Sequence, residues 1–167
     1  ILDSADYGVP QHRKRIYIVG FSEKVSKSEK FAFEWPEKSK KKVGIGQFVE
    51  QHDNGYTISN HLQKSYIYKK QDGRPQVIDE SSDIQVKTLV STYHKIQRLT
   101  GTFVNDGNTG LRLLSENECK AIMGFPLDFK FPVSRTQMYR QMGNSVAIPV
   151  VDKIAKQITS TLSTVGI

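Results

Sequence analysis

The last third of the sequence places the strongest constraint on the fold, because it contains a helix that is marked at both ends. Residues 115–118 match a capping box, in which the Ser115 hydroxyl accepts a hydrogen bond from the Glu118 amide and the Glu118 carboxylate reaches back. Gly124 and Pro126 follow at the distance of one short helix and would end it. Local chemistry alone therefore predicts a helix between these two signals.

Two further helices are predicted between Pro126 and the end of the sequence. One begins at Ser134 and ends near Gly143, and the other begins around Val146. In the last helix, apolar residues recur at helical spacing and form one stripe, which predicts an apolar face packed on a core. This stripe consists of Val150, Val151, Ile154, Ala155, Ile158 and Leu162.

The first two thirds of the chain have the patterns of strands and loops. Ile16–Phe21 is β-branched and aromatic, and this predicts a buried strand. Residues 22–43 are polar and lysine-rich, with a charge run at 38–42, and are interpreted as a linker. From about residue 44 to residue 110, short apolar runs separated by Asp-Gly and similar turns indicate an irregular, mostly β unit. These runs are residues 56–58, 66–68, 77–78 and 88–90.

The charge balance favours a polyanionic partner. The chain has 24 basic and 17 acidic residues, which gives a net charge of +7. Nucleic acid is the commonest partner of such a chain, although simple solubility explains the charge equally well. No stretch approaches the roughly 18 apolar residues that a transmembrane helix needs, so we expect no membrane partner. The single cysteine and the lack of a Cys/His cluster predict neither a disulfide nor a metal site.

A dense polar cluster precedes the predicted strand. In Gln11-His12-Arg13-Lys14-Arg15, the alternation of a strand places Gln11, Arg13 and Arg15 on one face. Two guanidinium groups and an amide on one face suit phosphate or carbonyl oxygen, because each arginine offers a fixed fork of donors. A surface ion-pair patch is the alternative explanation, and the cluster alone does not decide between the two.

Four motifs in a fixed order favour the first explanation. They are Gln11-x-Arg13-x-Arg15, Thr88-Leu89, the stretch from Arg112 to Gly124-Phe125-Pro126, and Gly143-Asn144-Ser145-Val146. This series resembles the closing motifs of the cytosine-5 DNA methyltransferases, and the resemblance covers essentially the whole chain. Each motif alone is weak, but four in this order at suitable intervals are hard to obtain by chance. The resemblance implies a mixed α+β fold: the C-terminal part of a Rossmann-like, S-adenosylmethionine-dependent methyltransferase with a small, mostly β target-recognition domain.

The resemblance also implies roles for residues near both ends of the chain. Arg15 resembles the family arginine that contacts the carbonyl oxygen of the extruded cytosine, and Arg13 and Gln11 resemble neighbours that organise the active site. The family segment that helps to close the S-adenosyl-L-methionine pocket is matched by Asn144, Ser145 and Val146. A helix that begins there would present free amides to a polar ligand. We therefore expect Arg13 and Arg15 to face one cleft, with Asn144 and Ser145 as its opposite wall.

The recognition domain has its own candidate residues. Thr88 and Leu89 resemble the family's Thr-Leu pair, and Arg112 resembles an arginine that supports this domain. Amide, hydroxyl and guanidinium groups lie beside the pair, and such groups can match donors and acceptors on base edges in the major groove. The candidates for DNA binding are therefore Thr88, Leu89, Ser91, Thr92, Tyr93, Lys95, Gln97 and Arg98.

Three features imitate catalytic or nucleotide-binding motifs. Cys119 is the only cysteine, but its spacing with Ile122 and Met123 on a capped helix predicts buried packing. The family nucleophile follows a proline, and no Pro-Cys occurs in the sequence. Residues 44–46 (Gly-Ile-Gly) lack the third glycine of a nucleotide loop. Residues 116–118 (Glu-Asn-Glu) fit the capping box better than the family's catalytic glutamate motif.

These observations predict a protein that binds specific double-stranded DNA and contributes to methyl transfer, but is inactive alone. The family's nucleophilic cysteine and main cofactor motif are absent from the sequence. Residues 1–21 and 127–167 are assigned to the catalytic domain, 22–43 to a linker and 44–126 to the recognition domain. We expect a missing N-terminal catalytic part, in the same protein or in a separate subunit, or else a second copy, to cover the final helix. We also expect a cytoplasmic, DNA-associated, bacterial protein.

Three alternatives stay open at this point. A DNA-specificity subunit of a split methyltransferase would carry the same motifs without being an enzyme by itself. An RNA methyltransferase of the same architecture is disfavoured by the long, turn-rich recognition region, because a DNA reader needs that extra surface. A basic domain without a site is disfavoured by the four ordered motifs.

Overall fold

The computed structural model describes residues 1–51, 55–106 and 110–166, and it is a mixed α+β structure. The strands are β1 (Leu2–Asp3), β2 (Lys14–Arg15), β3 (Gln76–Ile78), β4 (Thr102–Asn105) and β5 (Leu111–Arg112). The α-helices are α1 (Glu23–Ser26), α2 (Asn60–Leu62), α3 (Glu116–Met123), α4 (Arg135–Asn144) and α5 (Ile148–Val165). Single 3-10 turns occur at Ser4–Tyr7, Gly46–Phe48 and Tyr93–Lys95, and a π turn at Gln63–Ile67. None of the described helices combines the length and apolar character needed to cross a membrane.

The three predicted C-terminal helices are confirmed, together with the side-chain caps of the first two. At the start of α3, the Ser115 hydroxyl accepts from the Glu118 amide at 3.1 Å, and the Glu118 carboxylate accepts from the Ser115 amide at 2.8 Å. The same helix ends at Gly124, which has a left-handed φ of 74°. Ser134 caps α4 with its side chain. Local signals therefore suffice to set these boundaries.

The larger of two hydrophobic cores joins the middle of the chain to α3 and α4. β3 pairs in parallel with β4, and β4 pairs antiparallel with β5, which gives a three-stranded sheet in the order β3-β4-β5. Apolar side chains from the sheet, the surrounding loops and both helices meet in one cluster. Its helical members are Cys119, Ile122, Met123, Met138, Tyr139 and Met142. This core therefore includes α4, which lies beyond residue 126; the predicted boundary of the recognition domain at that residue stays a prediction.

A charged pair lies inside the larger core. Arg112 and Glu118 are almost fully buried and are joined by two hydrogen bonds of 2.8 Å. Arg112 also donates to the Glu50 carbonyl at 2.6 Å, and the Glu118 carboxylate accepts from the Glu50 amide at 2.9 Å. Such bonds offset the cost of removing both charges from water. They attach α3 to β5. Both elements lie within residues 44–126, which we predicted to form the recognition domain and call the recognition unit below; the supporting role of Arg112 in that domain stays a prediction.

The smaller core joins the two ends of the chain. β1 and β2 pair antiparallel, with Leu2 opposite Arg15. Tyr7 and Val9 pack against the buried face of α5. This arrangement places the Gln11–Arg15 cluster close to the start of the last helix, although more than a hundred residues separate them in sequence.

The predicted apolar stripe of α5 is only partly covered. Val150 and Ile154 are buried in the smaller core. Further along the stripe, Ile158 and Leu162 are half-buried, and Val151 is 40% exposed. Ala155 is exposed as well. The described chain therefore leaves apolar surface on its last helix, as we expected.

The prediction of a buried strand over Ile16–Phe21 is wrong. The ladder with β1 ends at Arg15, and residues 16–21 pair with no other described segment. Ile16 is 73% exposed and Ile18 is 92% exposed. A β-branched run forms a strand where a neighbouring strand accepts its hydrogen bonds and covers its side chains. Since β1 is only two residues long, it gives this run no such neighbour.

The segment that we predicted to be a linker is packed against the smaller core. The Tyr7 hydroxyl donates to the Pro36 carbonyl at 3.2 Å, and the Thr161 hydroxyl of α5 donates to the Ala32 carbonyl at 3.1 Å. The Phe33 and Trp35 rings of the segment also contact each other edge to face, and Phe31 contacts Phe21 just before the segment in the same way. Residues 22–43 are therefore attached to both ends of the chain and do not behave as a free connection.

The apolar run at residues 66–68 belongs to a helical turn rather than to a strand. The Ser59 side chain caps α2, and the π turn continues the helix to Ile67. Gln63 and Ile67 are one turn apart and both face the interior. Gln63 also donates from its side chain to the Ile58 carbonyl at 2.7 Å. The helical spacing of these inward residues outweighs the β propensity of the run at 66–68. The run at 77–78, by contrast, lies in β3 as predicted.

Candidate functional site

The side chain of Gln11 joins distant segments inside the molecule. It is fully buried, and its Nε2 donates to the Ile122 carbonyl of α3 at 2.9 Å. The same nitrogen lies 3.1 Å from the Met123 sulfur. Its Oε1 accepts from the Leu89 amide at 2.6 Å. Both ends of this amide group are therefore used within the protein, and Gln11 positions the Thr-Leu pair.

Arg13 binds three main-chain carbonyl groups from two distant parts of the chain. Its Nη1 donates to the Leu89 carbonyl at 2.9 Å, and its Nη2 donates to the Gly143 and Ser145 carbonyls at 2.9 and 2.6 Å. Burial, followed by the nearby charge of Arg15, lowers the pKa of Arg13 to about 10. The guanidinium is still a cation at neutral pH. Its fork of donors allows one side chain to hold all three acceptors.

The segment just before β2 also fixes the Thr88-Leu89 pair, mainly through main-chain contacts. The Val86 amide donates to the Pro10 carbonyl at 2.8 Å, and the His12 amide donates to the Val86 carbonyl at 2.9 Å. The Thr88 hydroxyl donates to the His12 carbonyl at 2.6 Å. Since Leu89 is buried, the pair connects the polar cluster to the recognition unit.

Arg15 lies at the open surface, outside this network. Its side chain is exposed, and the one hydrogen bond described for it joins its Nη1 to the neighbouring Lys14 carbonyl at 2.7 Å. A cleft of about 970 Å³ lies beside it, and its lining includes the side chains of Lys38 and Lys42 together with those of Asp3, Asp6 and His12. A guanidinium in this position is available to an oxygen atom of a ligand.

We expected the two arginines to face one cleft, and this expectation is wrong. Arg13 does reach Ser145 from the other end of the chain. However, the described residues that line the cleft beside Arg15 include neither Asn144 nor Ser145. Arg13 points into the interior and is engaged by carbonyl groups, whereas Arg15 at the end of β2 emerges into solvent. The buried arginine therefore positions main chain, and the exposed one is available for binding.

The segment between α4 and α5 is accessible and is held in place by Arg13. Asn144 and Val146 are exposed, and Ser145 is half-buried. The last helix begins after Ala147, where no side chain caps it. Pro149 has no amide hydrogen and the Val150 amide donates to the Ala147 carbonyl at 3.2 Å, so the Ile148 amide is the donor of this first turn that is left for a polar ligand.

The predicted DNA-reading residues separate into buried and accessible groups. Leu89, Tyr93 and Arg98 are buried. The Tyr93 hydroxyl donates to the Thr102 carbonyl at 2.5 Å and accepts from the Leu114 amide at 3.0 Å. Buried groups that are bonded in this way support the recognition unit and do not face a base. The accessible group consists of Thr88, Ser91, Thr92, Lys95 and Gln97.

Gly143 marks a close approach between α4 and the recognition unit. A methyl group at this position would lie 2.2 Å from the Ser91 amide nitrogen and 2.3 Å from the Val90 carbonyl carbon. Only a residue without a Cβ lets the helix touch the main chain here. Sequence reasoning used Gly143 as the end of a helix and as part of the Gly-Asn-Ser-Val motif, and neither signal indicated this contact.

Comparison with known proteins gives the same assignment as the ordered motifs. Residues 1–160 match the family of C-5 cytosine-specific DNA methylases. The chain belongs to this family. It is 59% identical over 166 residues to the type II methyltransferase M.MspI of Moraxella sp. and 54% identical over 156 residues to M.BsuFI of Bacillus subtilis. These matches cover 99% and 93% of this methylase chain, but 38% and 37% of the relatives, so it spans less than half of their length.

Solved structures share the fold of this methylase chain at low sequence identity. The methyltransferase EhMeth of Entamoeba histolytica aligns with a TM-score of 0.68 at 20% identity, over 96% of this chain and 52% of that protein. A DNMT2 mutant of Spodoptera frugiperda aligns with a TM-score of 0.67 at 16% identity, over 94% and 56%. The mixed α+β methyltransferase fold is therefore confirmed.

The single cysteine of this methylase chain is a core residue. Cys119 is fully buried in the larger core. Burial, together with the nearby Glu118 and Glu116 carboxylates, raises the pKa of its thiol well above the ordinary value. A neutral and inaccessible thiol is no nucleophile. The prediction that Cys119 serves packing is confirmed.

Proposed function

We propose that this chain is the C-terminal portion of a DNA (cytosine-5)-methyltransferase, which binds specific double-stranded DNA and contributes to methyl transfer to C5 of an extruded cytosine. The observation that carries the proposal is the junction at Arg13. One buried guanidinium holds both the Thr-Leu pair and the Gly143–Ser145 segment. The same strand presents Arg15 at the surface two residues later. The bonds of Arg13 therefore connect the segment that carries Arg15, our candidate for binding the base, to the recognition unit and to the start of α5.

Arg15 is the residue that we assign to the target base. Its exposed guanidinium can donate to the O2 carbonyl oxygen of a cytosine that has been extruded from the duplex. Attack on C6 of the ring shifts negative charge towards that oxygen, and a preorganised donor there stabilises the charge as it develops. Arg13 and Gln11 serve this step as positioning residues, because they fix the strand that carries Arg15.

Asn144, Ser145 and Val146 are the residues that we assign to the S-adenosylmethionine pocket. The exposed Asn144 side chain and the uncapped start of α5 fit a polar ligand, because both offer hydrogen-bond donors. S-adenosylmethionine supplies the methyl group when it is bound. This segment binds and orients the cofactor, while the nucleophile and the rest of the pocket come from a partner catalytic part. The chain alone is therefore expected to be inactive.

The accessible side chains between Thr88 and Gln97 are our candidates for contacts to DNA bases. Hydroxyl and amide groups such as those of Ser91 and Gln97 can donate to and accept from base edges in the major groove. The contact between Gly143 and Ser91 fixes this segment relative to α4. The named relatives are type II methyltransferases of bacteria, and a cytoplasmic, DNA-associated location is our expectation for this chain.

Complementation tests the proposal. Mixed with a chain that carries the N-terminal motifs of the family, the protein should restore transfer of labelled methyl groups to duplex DNA. Arg15→Ala should lower kcat by roughly 100-fold or more, as expected for the loss of one preorganised donor. The matched control is Lys24→Ala, which removes an exposed charge from α1 and should leave kcat unchanged.

Two results would contradict the proposal. The first is full turnover in the Arg15→Ala mixture, because the base would then be held by other groups. The second is preferential methylation of transfer RNA over duplex DNA at matched salt. The chain would then still belong to a methyltransferase, but its substrate would be RNA and not DNA.

A further inference from the structure

Arg98 fixes an exposed loop from the interior of the recognition unit. Its guanidinium donates to the Ile67 carbonyl at 2.7 Å, to the Lys70 carbonyl at 2.8 Å and to the Asp72 carboxylate at 2.9 Å. A further N–H group meets the second oxygen of the same carboxylate. Residues 68–74, which we call the basic loop, are therefore held by one buried side chain at several points.

The basic loop concentrates positive charge that no carboxylate of the described chain neutralises. Lys69, Lys70 and Arg74 are exposed, and no ion pair is formed by any of them with the residues that the structure describes. Asp72 is the only acidic residue of the loop, and its carboxylate is already paired with Arg98. The three cations are therefore left for an external anion.

Some lysines in other parts of the chain are paired. Lys38 and Lys42 both face Asp6, at 2.9 and 3.8 Å. Other lysines, such as Lys24 and Lys30, are exposed and form no ion pair with the described residues. The basic loop is distinguished from them because three such cations lie within six residues, on a segment that one buried arginine holds in place.

The basic loop is a spatial neighbour of the proposed base-reading segment, residues 91–97. Arg98 directly follows that segment, and its amide lies 3.5 Å from the hydroxyl of Tyr66, two residues before the loop. On the other side, Gln76, two residues after Arg74, accepts a hydrogen bond from the Lys87 amide at 3.0 Å through its Oε1. Burial and then the charge of Arg74 lower the pKa of Lys87. Lys87 immediately precedes the Thr-Leu pair, so the loop adjoins both ends of the reading region.

We propose that the basic loop binds the phosphate backbone of duplex DNA through Lys69, Lys70 and Arg74, with Arg98 as the positioning residue. The inference rests on the proposed function, because DNA held at residues 91–97 is the polyanion nearest to the loop. Contacts to phosphate orient a duplex without reading its sequence. Arg98 acts through the loop, since its guanidinium is buried and bonded to loop atoms.

The salt dependence of DNA binding tests the phosphate contacts, measured on the complete enzyme that the proposed function assigns to this chain. The logarithm of the binding constant falls with log salt by about 0.9 for each phosphate neutralised. The triple variant K69A/K70A/R74A should therefore reduce this slope by about 2–3. It should weaken target and non-target duplexes alike. The matched control, K24A/K30A/K156A, removes three exposed lysines elsewhere and should leave the slope nearly unchanged.

Arg98→Lys tests the positioning role, because it keeps the charge and loses the fork of donors. Its salt slope should fall towards that of the triple variant, and adding it to the triple variant should change the slope no further. A parental slope in Arg98→Lys would overturn the positioning role. Should this variant fail to fold, Asp72→Glu keeps the charge while displacing the same ion pair, and the same criterion then applies to it.

The two proposals fail in different ways. Suppose that the enzyme methylates duplex DNA, but the loop variant and the control variant have the same salt slope. This result would overturn only the proposal that the basic loop binds phosphate. An enzyme that neither methylates nor binds duplex DNA would overturn the proposed function, and this inference with it.

Discussion

The two cores differ in how completely each covers its own apolar surface. The larger core contains a buried ion pair, a three-stranded sheet and two helices, and its side chains meet in one cluster between Ile45 and Met142. The smaller core consists of a two-stranded pair and one face of α5. Beside it, Ile16 is 73% and Ile18 is 92% exposed, whereas the most exposed large apolar side chain near the larger core, Leu127, is 68% exposed. We infer that the recognition unit folds around itself, whereas the smaller core offers a face to additional protein.

The two cores are connected mainly by polar contacts to main chain. Gln11 and Arg13 reach from the strand of the smaller core to carbonyl and amide groups of the larger one. Such contacts depend on direction and distance, so they fix orientation more strictly than apolar packing does. A rigid link of this kind suits a protein in which a base-binding arginine and a recognition unit must act on the same DNA.

The largest expected effect comes from breaking the buried ion pair of the larger core. Glu118→Gln keeps the shape of the side chain but leaves Arg112 buried without its counter-charge. We expect the free energy of unfolding to fall by about 3–5 kcal/mol, measured by urea denaturation. Lys156→Ala breaks an exposed pair on α5 and should cost less than about 0.5 kcal/mol. Equal losses in the two variants would show that the larger core does not depend on its ion pair.

A smaller loss is expected where α4 touches the recognition unit. In Gly143→Ala the added methyl group would collide with the main chain of Val90 and Ser91. Helix and loop must then move apart, which should cost about 1–3 kcal/mol and alter methylation specificity in the complete enzyme. Gly20→Ala is the matched control, because a Cβ at Gly20 meets nothing within 4 Å. Parental stability of Gly143→Ala would show that this contact is looser than described.

The smallest effect on stability is expected at the exposed face of the smaller core. Replacing Ile16 and Val151 by serine should change the free energy of unfolding by no more than about 0.5 kcal/mol per site, because both side chains are already exposed. The same double variant should bind less of a hydrophobic dye and self-associate less than the parent. A parent that sediments as a strict monomer and binds no dye would contradict our description of this face.

The sequence predicted best those elements whose signals are local. The capping box at Ser115 and the stop at Gly124 set α3 without reference to the rest of the chain. The run Ile16–Phe21 was predicted wrongly, because a strand is completed by a neighbour that local sequence does not specify. The helical turn at residues 66–68 was missed for a related reason, since β propensity there is overridden by inward packing of Gln63 and Ile67.

The candidate site shows the same division between local and distant information. Motif order identified Arg13, Arg15 and the Asn144–Val146 segment, but it could not show that Arg13 is buried while Arg15 is exposed. Arg98 was chosen as a base reader for its chemistry alone. Its engagement with Asp72, 26 residues away, depends on tertiary structure. Residue type therefore suggested which groups can bind DNA, and burial decided which of them are available.

The most direct test of the account is a crystal structure of the complete enzyme bound to duplex DNA that contains the target cytosine. We predict that the cytosine is extruded and that the Arg15 guanidinium lies about 2.7–3.2 Å from its O2 atom, while Arg13 still holds the Leu89 and Ser145 carbonyls. A cytosine bound by other side chains, with Arg15 directed into solvent, would contradict the account.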